Sequence, residues 1–226
     1  MVKILNLETA TTNCSVSISE NEGTIFLKEN NAVEYSHSEQ LHVFIKEVLE
    51  EASLSFSDLD AVAVSKGPGS YTGLRIGVSA AKGLCFSLDI PLISVPTLQS
   101  MARQVTLEKN QVVIPVLDAR RMEVYSSVYD ETYSEIRETR AEIIDENSFN
   151  EFVGYDKVFV VGSGAQKCSE TLKYPNFVFD TSLMPSANQM AGIAHQKYQQ
   201  QLFEDVAYFE PYYLKDFVLQ GKKTNP

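Results

Sequence analysis

Gly67-Pro68-Gly69-Ser70-Tyr71-Thr72-Gly73 is the stretch on which the reading of this chain depends. Ahead of it, Leu59-Asp60-Ala61-Val62-Ala63-Val64-Ser65 is a short apolar run, the pattern of a compact buried strand. Behind it, Leu74 to Leu88 is apolar on most helical registers and reads as a helix. A glycine-rich turn between strand and helix points backbone N–H groups and a helix N-terminus at one place, where an anion can sit. Neither phosphate motif is met. A P-loop closes on Gly-Lys-Ser/Thr, and this turn closes on Gly73-Leu74-Arg75. The dinucleotide fingerprint is one residue shorter, and Pro68 removes one N–H from the loop. The alternative is a tight turn that serves only close helix–strand packing.

Working outward, residues 2–7, 14–19 and 24–29 read as three strands. Cys14-Ser15-Val16-Ser17-Ile18-Ser19 alternates strictly, which predicts one buried face, and Asn21-Glu22-Gly23 supplies a hairpin turn. A helix is expected over 38–53, with Leu41, Ile45, Val48 and Ala52 toward the core and Phe44 and Leu49 off that stripe. Ser36 or Ser38 is its expected cap, Ser36 with Glu39 forming a capping box. After the glycine turn come a strand at 90–94 and a helix from Thr97 to Val105.

The second half repeats this order. Strands are expected at 112–117, 123–129 and 134–144, then a short helix at 148–153 and a strand at 158–161. Gly162-Ser163-Gly164 leads into a helix ending near Leu172, followed by a short strand at 177–179 and a long helix over 186–203. The halves also agree at two motifs. Glu8-Thr9-Ala10 and Asp118-Ala119 end the first strands, and Gly67-Pro68-Gly69 and Gly162-Ser163-Gly164 end the buried ones. The expected fold is α/β, a β-β-β-α-β-α unit duplicated as in the actin, Hsp70 and sugar-kinase group. The lobes divide into 1–105 and 106–226, with the C-terminal segment able to pack back on the first.

Nineteen Lys and Arg against thirty Asp and Glu give a net charge of −11. That argues against a free-standing nucleic-acid binder, which needs a basic footprint, and leaves open a subunit that helps another chain bind. The three cysteines, Cys14, Cys85 and Cys168, are odd in number and far apart, so free thiols in a reducing compartment are expected. The opening run Met1–Leu7 is too short for a signal peptide, and no run of eighteen apolar residues occurs. The expected location is the cytoplasm. His37 and His42 are five apart, about 140° on a helix of roughly 3.6 residues per turn, and His195 is remote, so no metal site is expected.

Glu8 and Asp118 are the candidate carboxylates of a cleft between lobes, with Gly67, Gly69, Gly162 and Gly164 around them. In kinases and ATPases of this architecture the first phosphate turn carries a glycine just after the acid. Glu8-Thr9-Ala10-Thr11-Thr12-Asn13 has none, so the nucleotide cleft reads as vestigial. Helix 74–88 carries Arg75, Ser79 and Lys82 on one strip and is apolar elsewhere. One face meets the sheet, and the other must meet a second element or another chain. Leu74, Ile76, Gly77, Ala80, Ala81 and Leu84, with Leu41, Phe44 and Ile45 of the preceding helix, form the expected partner interface. A helix sandwiched within its own chain is the alternative.

Five segments carry a family resemblance: Ile4-Leu5-Asn6-Leu7-Glu8-Thr9-Ala10, His37-Ser38-Glu39-Gln40-Leu41, Gly67 through Gly77, Asp118-Ala119-Arg120-Arg121-Met122-Glu123-Val124-Tyr125, and Glu210-Pro211-Tyr212-Tyr213-Leu214. In this order they resemble the bacterial TsaB (YeaZ) family over nearly the whole chain. Glu8 stands where that family more often has Asp. The resemblance implies a part in making N6-threonylcarbamoyladenosine in tRNA. It implies a non-catalytic dimerisation subunit supporting its paralogue TsaD, which transfers the threonylcarbamoyl group, with the ATPase TsaE joining. Contact with tRNA would run only through the complex, and self-association would use the partner surface, giving a homodimer as the competing state. TsaD holds its metal through two histidines four apart, and the equivalent positions here are Thr97 and Met101. No cofactor is expected to bind independently, with nucleotide at the joint with TsaD left open. The competing readings are an independent ATPase or small-molecule kinase of the same fold, and a peptidase.

Overall fold

In the computed structural model, residues 1–31 and 37–214 are described. Ser36, one of the expected helix caps, lies outside them. The first half forms β1 (Lys3–Glu8), β2 (Asn13–Glu20), β3 (Gly23–Asn31), α1 (His37–Glu51), β4 (Ala61–Gly67), α2 (Tyr71–Leu88), β5 (Leu92–Pro96) and α3 (Thr97–Ala102). The second forms β6 (Gln111–Asp118), β7 (Glu123–Tyr129), β8 (Glu135–Ile143), β9 (Lys157–Val161), α4 (Ala165–Thr171), β10 (Phe177–Asp180) and α5 (Met190–Gln199). Both sheets have five strands, in orders β3-β2-β1-β4-β5 and β8-β7-β6-β9-β10. In each, the first three strands pair antiparallel and the last two join parallel. The duplicated unit is therefore present strand for strand. Gly67 and Gly162 follow the same logic: each ends its buried strand at positive φ, +107° and +114°, where a side chain would be strained.

The sheets are covered crosswise. Leu5, Leu7, Val62 and Val64 face α1 and α2 in one core. The opposite face of that sheet, with Ile4, Ala61, Ala63, Ile93 and Val95, is covered by Ala187, Met190, Ile193 and Ala194 of the second half. Conversely Leu98, Met101 and Ala102 of α3 pack on Val113, Leu117, Tyr129 and Val161 of the second sheet. The other face of that sheet takes α4 and the Phe149–Phe152 turn. Both faces of both sheets are thus buried, which is why the middles of β1, β4, β6 and β9 are buried on both sides and mostly apolar.

Three expectations change. Ser15, Ser17 and Ser19 are buried, not solvated, because the second half's approach covers them. Ser15 Oγ accepts from Ala187 N at 3.0 Å and Ser17 Oγ donates to Ala187 O at 3.0 Å. The expected helix over 186–203 is a 3-10 turn at Ala187–Gln189 followed by α5, which stops at Gln199. Gln201 adopts φ +55°, and the N–H groups of Gln201 and Leu202 close onto Tyr198 O and Lys197 O. The expected helix at 148–153 is a single 3-10 turn at Asn150–Phe152.

Helix α2 opens on Ser70, whose hydroxyl accepts from Gly73 N at 3.3 Å. A Cβ on Gly73 would collide with the backbone carbonyl of Thr9, whereas one on Gly83 meets nothing within 4 Å. Gly73→Ala is expected to destabilise the chain by about 1–3 kcal/mol, and Gly83→Ala to stabilise it by up to about 1 kcal/mol. Thermal unfolding of the two variants checks this, and equal shifts would contradict the packing described.

Candidate functional site

The space between the lobes is a cleft of about 720 Å³, bordered by Gly69, Ser70, Asp118, Arg120, Tyr125 and Ser163. Of the six residues expected to surround a nucleotide, only Gly69 and Asp118 reach it. Gly67 is backed by the Tyr212 carbonyl, Gly162 by Met101 and the Val116 carbonyl, and Gly164 by Val124 and Val116. Glu8 is fully buried beneath the loop that follows it.

The two strand-end acids share one local bond and differ in everything else. Glu8 Oε1 accepts from the N–H of Ala10 at 2.6 Å, and Asp118 Oδ1 accepts from the N–H of Arg120 at 2.6 Å. Glu8 Oε1 also accepts from Ser65 Oγ at 2.9 Å, while its Oε2 has no hydrogen-bond partner among the described residues. Asp118 is half-exposed and accepts from Lys167 Nζ at 3.0 Å. The same ammonium donates to the carbonyls of Arg121 and Glu123, closing a hairpin in which Arg120 and Arg121 both have positive φ. Lys167 was not among the expected site residues. Nothing in a lone lysine forty-nine positions from Asp118 signals the contact.

The C-terminal segment also reaches the cleft. Tyr212 N–H donates to Lys66 O at 2.7 Å, and the Tyr213 ring lies 5.1 Å from that of Tyr71. Upstream, Lys82 Nζ donates to the carbonyls of Ala207 and Phe209, so the segment straps the flank of α2.

On the outer side of α1 and α2 an open groove of about 780 Å³ is lined by Ser38, His42, Ile76, Ala80, Gly83 and Leu84, among others. The expected partner residues divide here. Leu41, Ile45, Leu74, Gly77 and Ala81 are buried in their own lobe and present nothing to a partner. Leu41, Ile45 and Ala81 join the core beneath α1 and α2, Leu74 lies against Gly67, and Gly77 is taken up by the Thr9 side chain. Leu49, expected off the core stripe, is buried as well. Phe44, Ile76, Ala80 and Leu84 are half-buried, resting on that core with their outer edges open. Of these four, Ile76, Ala80 and Leu84 line the groove, whereas Phe44, like the exposed Val43 and Phe86, does not.

A family model described as "TsaD: tRNA N6-adenosine threonylcarbamoyltransferase" matches residues 31–222. The tRNA threonylcarbamoyladenosine biosynthesis protein TsaB of Escherichia coli strain K12 is 32% identical, over 98% of this chain and 98% of the relative. This chain belongs to the TsaB family. The TsaB protein of Haemophilus influenzae is 31% identical over 97% and 96% of the two chains. Two Pseudomonas aeruginosa structures share the fold. YeaZ superposes with a TM-score of 0.79 at 26% identity, and a protein described as similar to peptidase YeaZ with 0.84 at 25%. Each covers 95% of this chain and 100% of its own.

For a TsaB-family chain, the positions that the resemblance equates with TsaD's metal ligands are informative. Thr97 and Met101 are fully buried on α3, and Met101 packs in the core between the lobes. Elsewhere, His37 Nε2 lies 2.6 Å from Thr11 O, His42 lines the groove, and His195 is on α5. Among the described residues no three His, Cys, Asp or Glu side chains gather as metal ligands, and no helix is long and apolar enough to cross a membrane. Cys14, Cys85 and Cys168 are free and buried.

Burial raises the Glu8 carboxyl from 4.5 to about 7, against the opposing pull of the bonds from Ala10, Ser65 and Thr9. The folded chain therefore holds this proton through a range where the unfolded chain releases it. The resulting stabilisation is full below pH 4.5 and is lost as pH rises through about 7. Glu8→Gln is permanently neutral, so its stability relative to the parent chain should rise with pH, by on the order of 3 kcal/mol at the alkaline end. Urea unfolding of both chains from about pH 5 to about pH 8 measures the difference, and a constant offset would show that Glu8 does not titrate in this way.

Proposed function

We propose that this chain is a non-catalytic subunit in the formation of N6-threonylcarbamoyladenosine in tRNA, and that it works by docking TsaD on the groove between α1 and α2. The observation that carries the reading is that groove. It is lined by Ile76, Ala80 and Leu84 of α2, apolar side chains that no part of the described chain covers fully, and contiguous apolar surface of this kind marks a protein contact. The relatives' names supply the process, and the match to a TsaD model fits a paralogue of the transferase.

The cleft supports the non-catalytic part. An acid that must hold Mg²⁺ or a nucleophile has to reach its ligand, and Glu8 is sealed beneath its loop. Asp118 is engaged by Lys167, and the positions equated with metal-binding histidines are a buried threonine and methionine. In this reading nucleotide belongs to the joint with TsaD rather than to this chain's own cleft. TsaE joins the assembly, and tRNA is met through the complex, in keeping with a net charge of −11. A homodimer through the same groove competes with TsaD, since one apolar face serves one partner at a time. The peptidase in the description of one neighbour is a statement about that protein. A metallopeptidase would need a metal-ligand cluster, and none forms among the described residues.

The test is threonylcarbamoyl transfer to tRNA by this chain, TsaD and TsaE, with each omitted in turn. Activity is expected to need all three, and full activity without this chain would overturn the reading. Leu84→Glu places an unpaired carboxylate in the contact. It should weaken TsaD binding by about 100-fold or more, as a cost of about 3 kcal/mol implies, while circular dichroism stays unchanged. An unaltered elution profile of the mixed subunits would mean the groove is not the interface.

A further inference from the structure

We propose that Glu8 is a positioning residue for the docking face: through the loop it anchors, it holds the N-terminal ends of α1 and α2 in the arrangement that TsaD meets. This rests on the docking reading above and adds what sets the shape of that surface.

The bonds of Glu8 tie the loop after β1 to β4. Oε1 takes the Ala10 N–H at 2.6 Å and the Ser65 hydroxyl at 2.9 Å. The anchored loop then reaches both helices. Ala10 O accepts from Ser70 N at 2.6 Å, at the cap of α2. Thr9 Oγ1 donates to Gly73 O at 2.8 Å in the first turn of α2, and the Thr9 side chain fills the space beside Gly77 one turn on. Thr11 O lies 2.6 Å from Nε2 of His37, the first residue of α1. The groove begins at these same ends, with Ser38 and His42 on one wall and Tyr71 and Thr72 on the other.

A fully buried carboxyl is costly to keep, and here it faces no ligand space. Asp118, at the equivalent position of the second lobe, remains half-exposed and reaches neither docking helix. What Glu8 gives in return is the fixed geometry of one four-residue loop on which two helix ends converge.

The experiment titrates TsaD into the intact chain and into Glu8→Gln, Glu8→Ala and Thr9→Val, with amide hydrogen exchange on each free chain. Glu8→Gln retains a carbonyl acceptor for Ala10 and Ser65, and should bind within about twofold of the parent. Glu8→Ala should bind about tenfold more weakly. Thr9→Val, which keeps the volume and cuts the bond to Gly73, should bind about threefold more weakly. Exchange in Glu8→Ala should quicken at the first turns of α1 and α2 and stay unchanged in β6–β10. Parental affinity in both Glu8→Ala and Thr9→Val would overturn the inference, as would faster exchange spread evenly over both lobes. If Glu8→Ala does not fold, Thr9→Val decides. If the parent chain itself does not bind TsaD, the docking reading fails, and the exchange pattern alone judges whether the brace exists.

Discussion

Each five-stranded sheet has to be covered on both faces, and each half of the chain keeps cover for only one face of its own. That constraint organises the molecule. α1 and α2 cover one face of the first sheet, and α3 leaves to cover the second. α5 returns in exchange and buries Ile4, Ile93 and Val95. Each such side chain exposed to water would cost roughly 1.5–3 kcal/mol, so neither half is a closed unit. The exchange also accounts for the serines of β2. Their face is polar because it receives the backbone of the segment at 185–187, whose carbonyl and N–H groups need partners as they are buried.

The same packing explains why an open groove remains on one side. α2 meets the sheet beneath it, α1 beside it, and the C-terminal strap on its flank, where Lys82 holds two carbonyls. The outward strip between α1 and α2 is what no part of the described chain covers. A lone exposed phenylalanine needs no explanation, but Ile76, Ala80 and Leu84 recur at four-residue spacing on α2 and line one open groove together. The proposed docking site therefore lies on the outside of the first lobe, away from the cleft between the lobes.

Much of this was legible in the sequence, because periodicity and punctuation report burial directly. Strict alternation marked β2, and the glycines at 67 and 162 marked where buried strands turn. What the sequence does not reveal depends on long-range placement. Alternation marks a strand with one apolar face but does not say that a distant segment will cover the other, so Ser15, Ser17 and Ser19 read as solvated. Leu41 and Ile45 fell on both the core stripe and the expected interface, and the sheet claimed them. α5 ends through a glutamine in the left-handed region, where no glycine announces the stop. The strap holds mainly through backbone groups, which any sequence supplies. Among the nine expected partner residues, the four that remain at the surface are those an intramolecular core could use least.

The two strand-end acids show how a duplicated motif can keep its form while its chemistry diverges. Both accept the N–H two residues on at the same distance, so the turn after the first strand is conserved between lobes at the level of one hydrogen bond. Their second partners separate them. Lys167 gives Asp118 a countercharge and it stays half in solvent, whereas Ser65 gives Glu8 only a neutral hydroxyl and burial moves its carboxyl toward neutrality. A neutral carboxyl has no hold on a cation or a phosphate-bound metal, but it accepts a backbone N–H as well as an amide does. In the proposed non-catalytic role the acid serves no ligand, so its desolvation competes with no function and the loop can close tightly over it. The other side of that loop is where α1 and α2 begin, which is the side the proposed docking face uses.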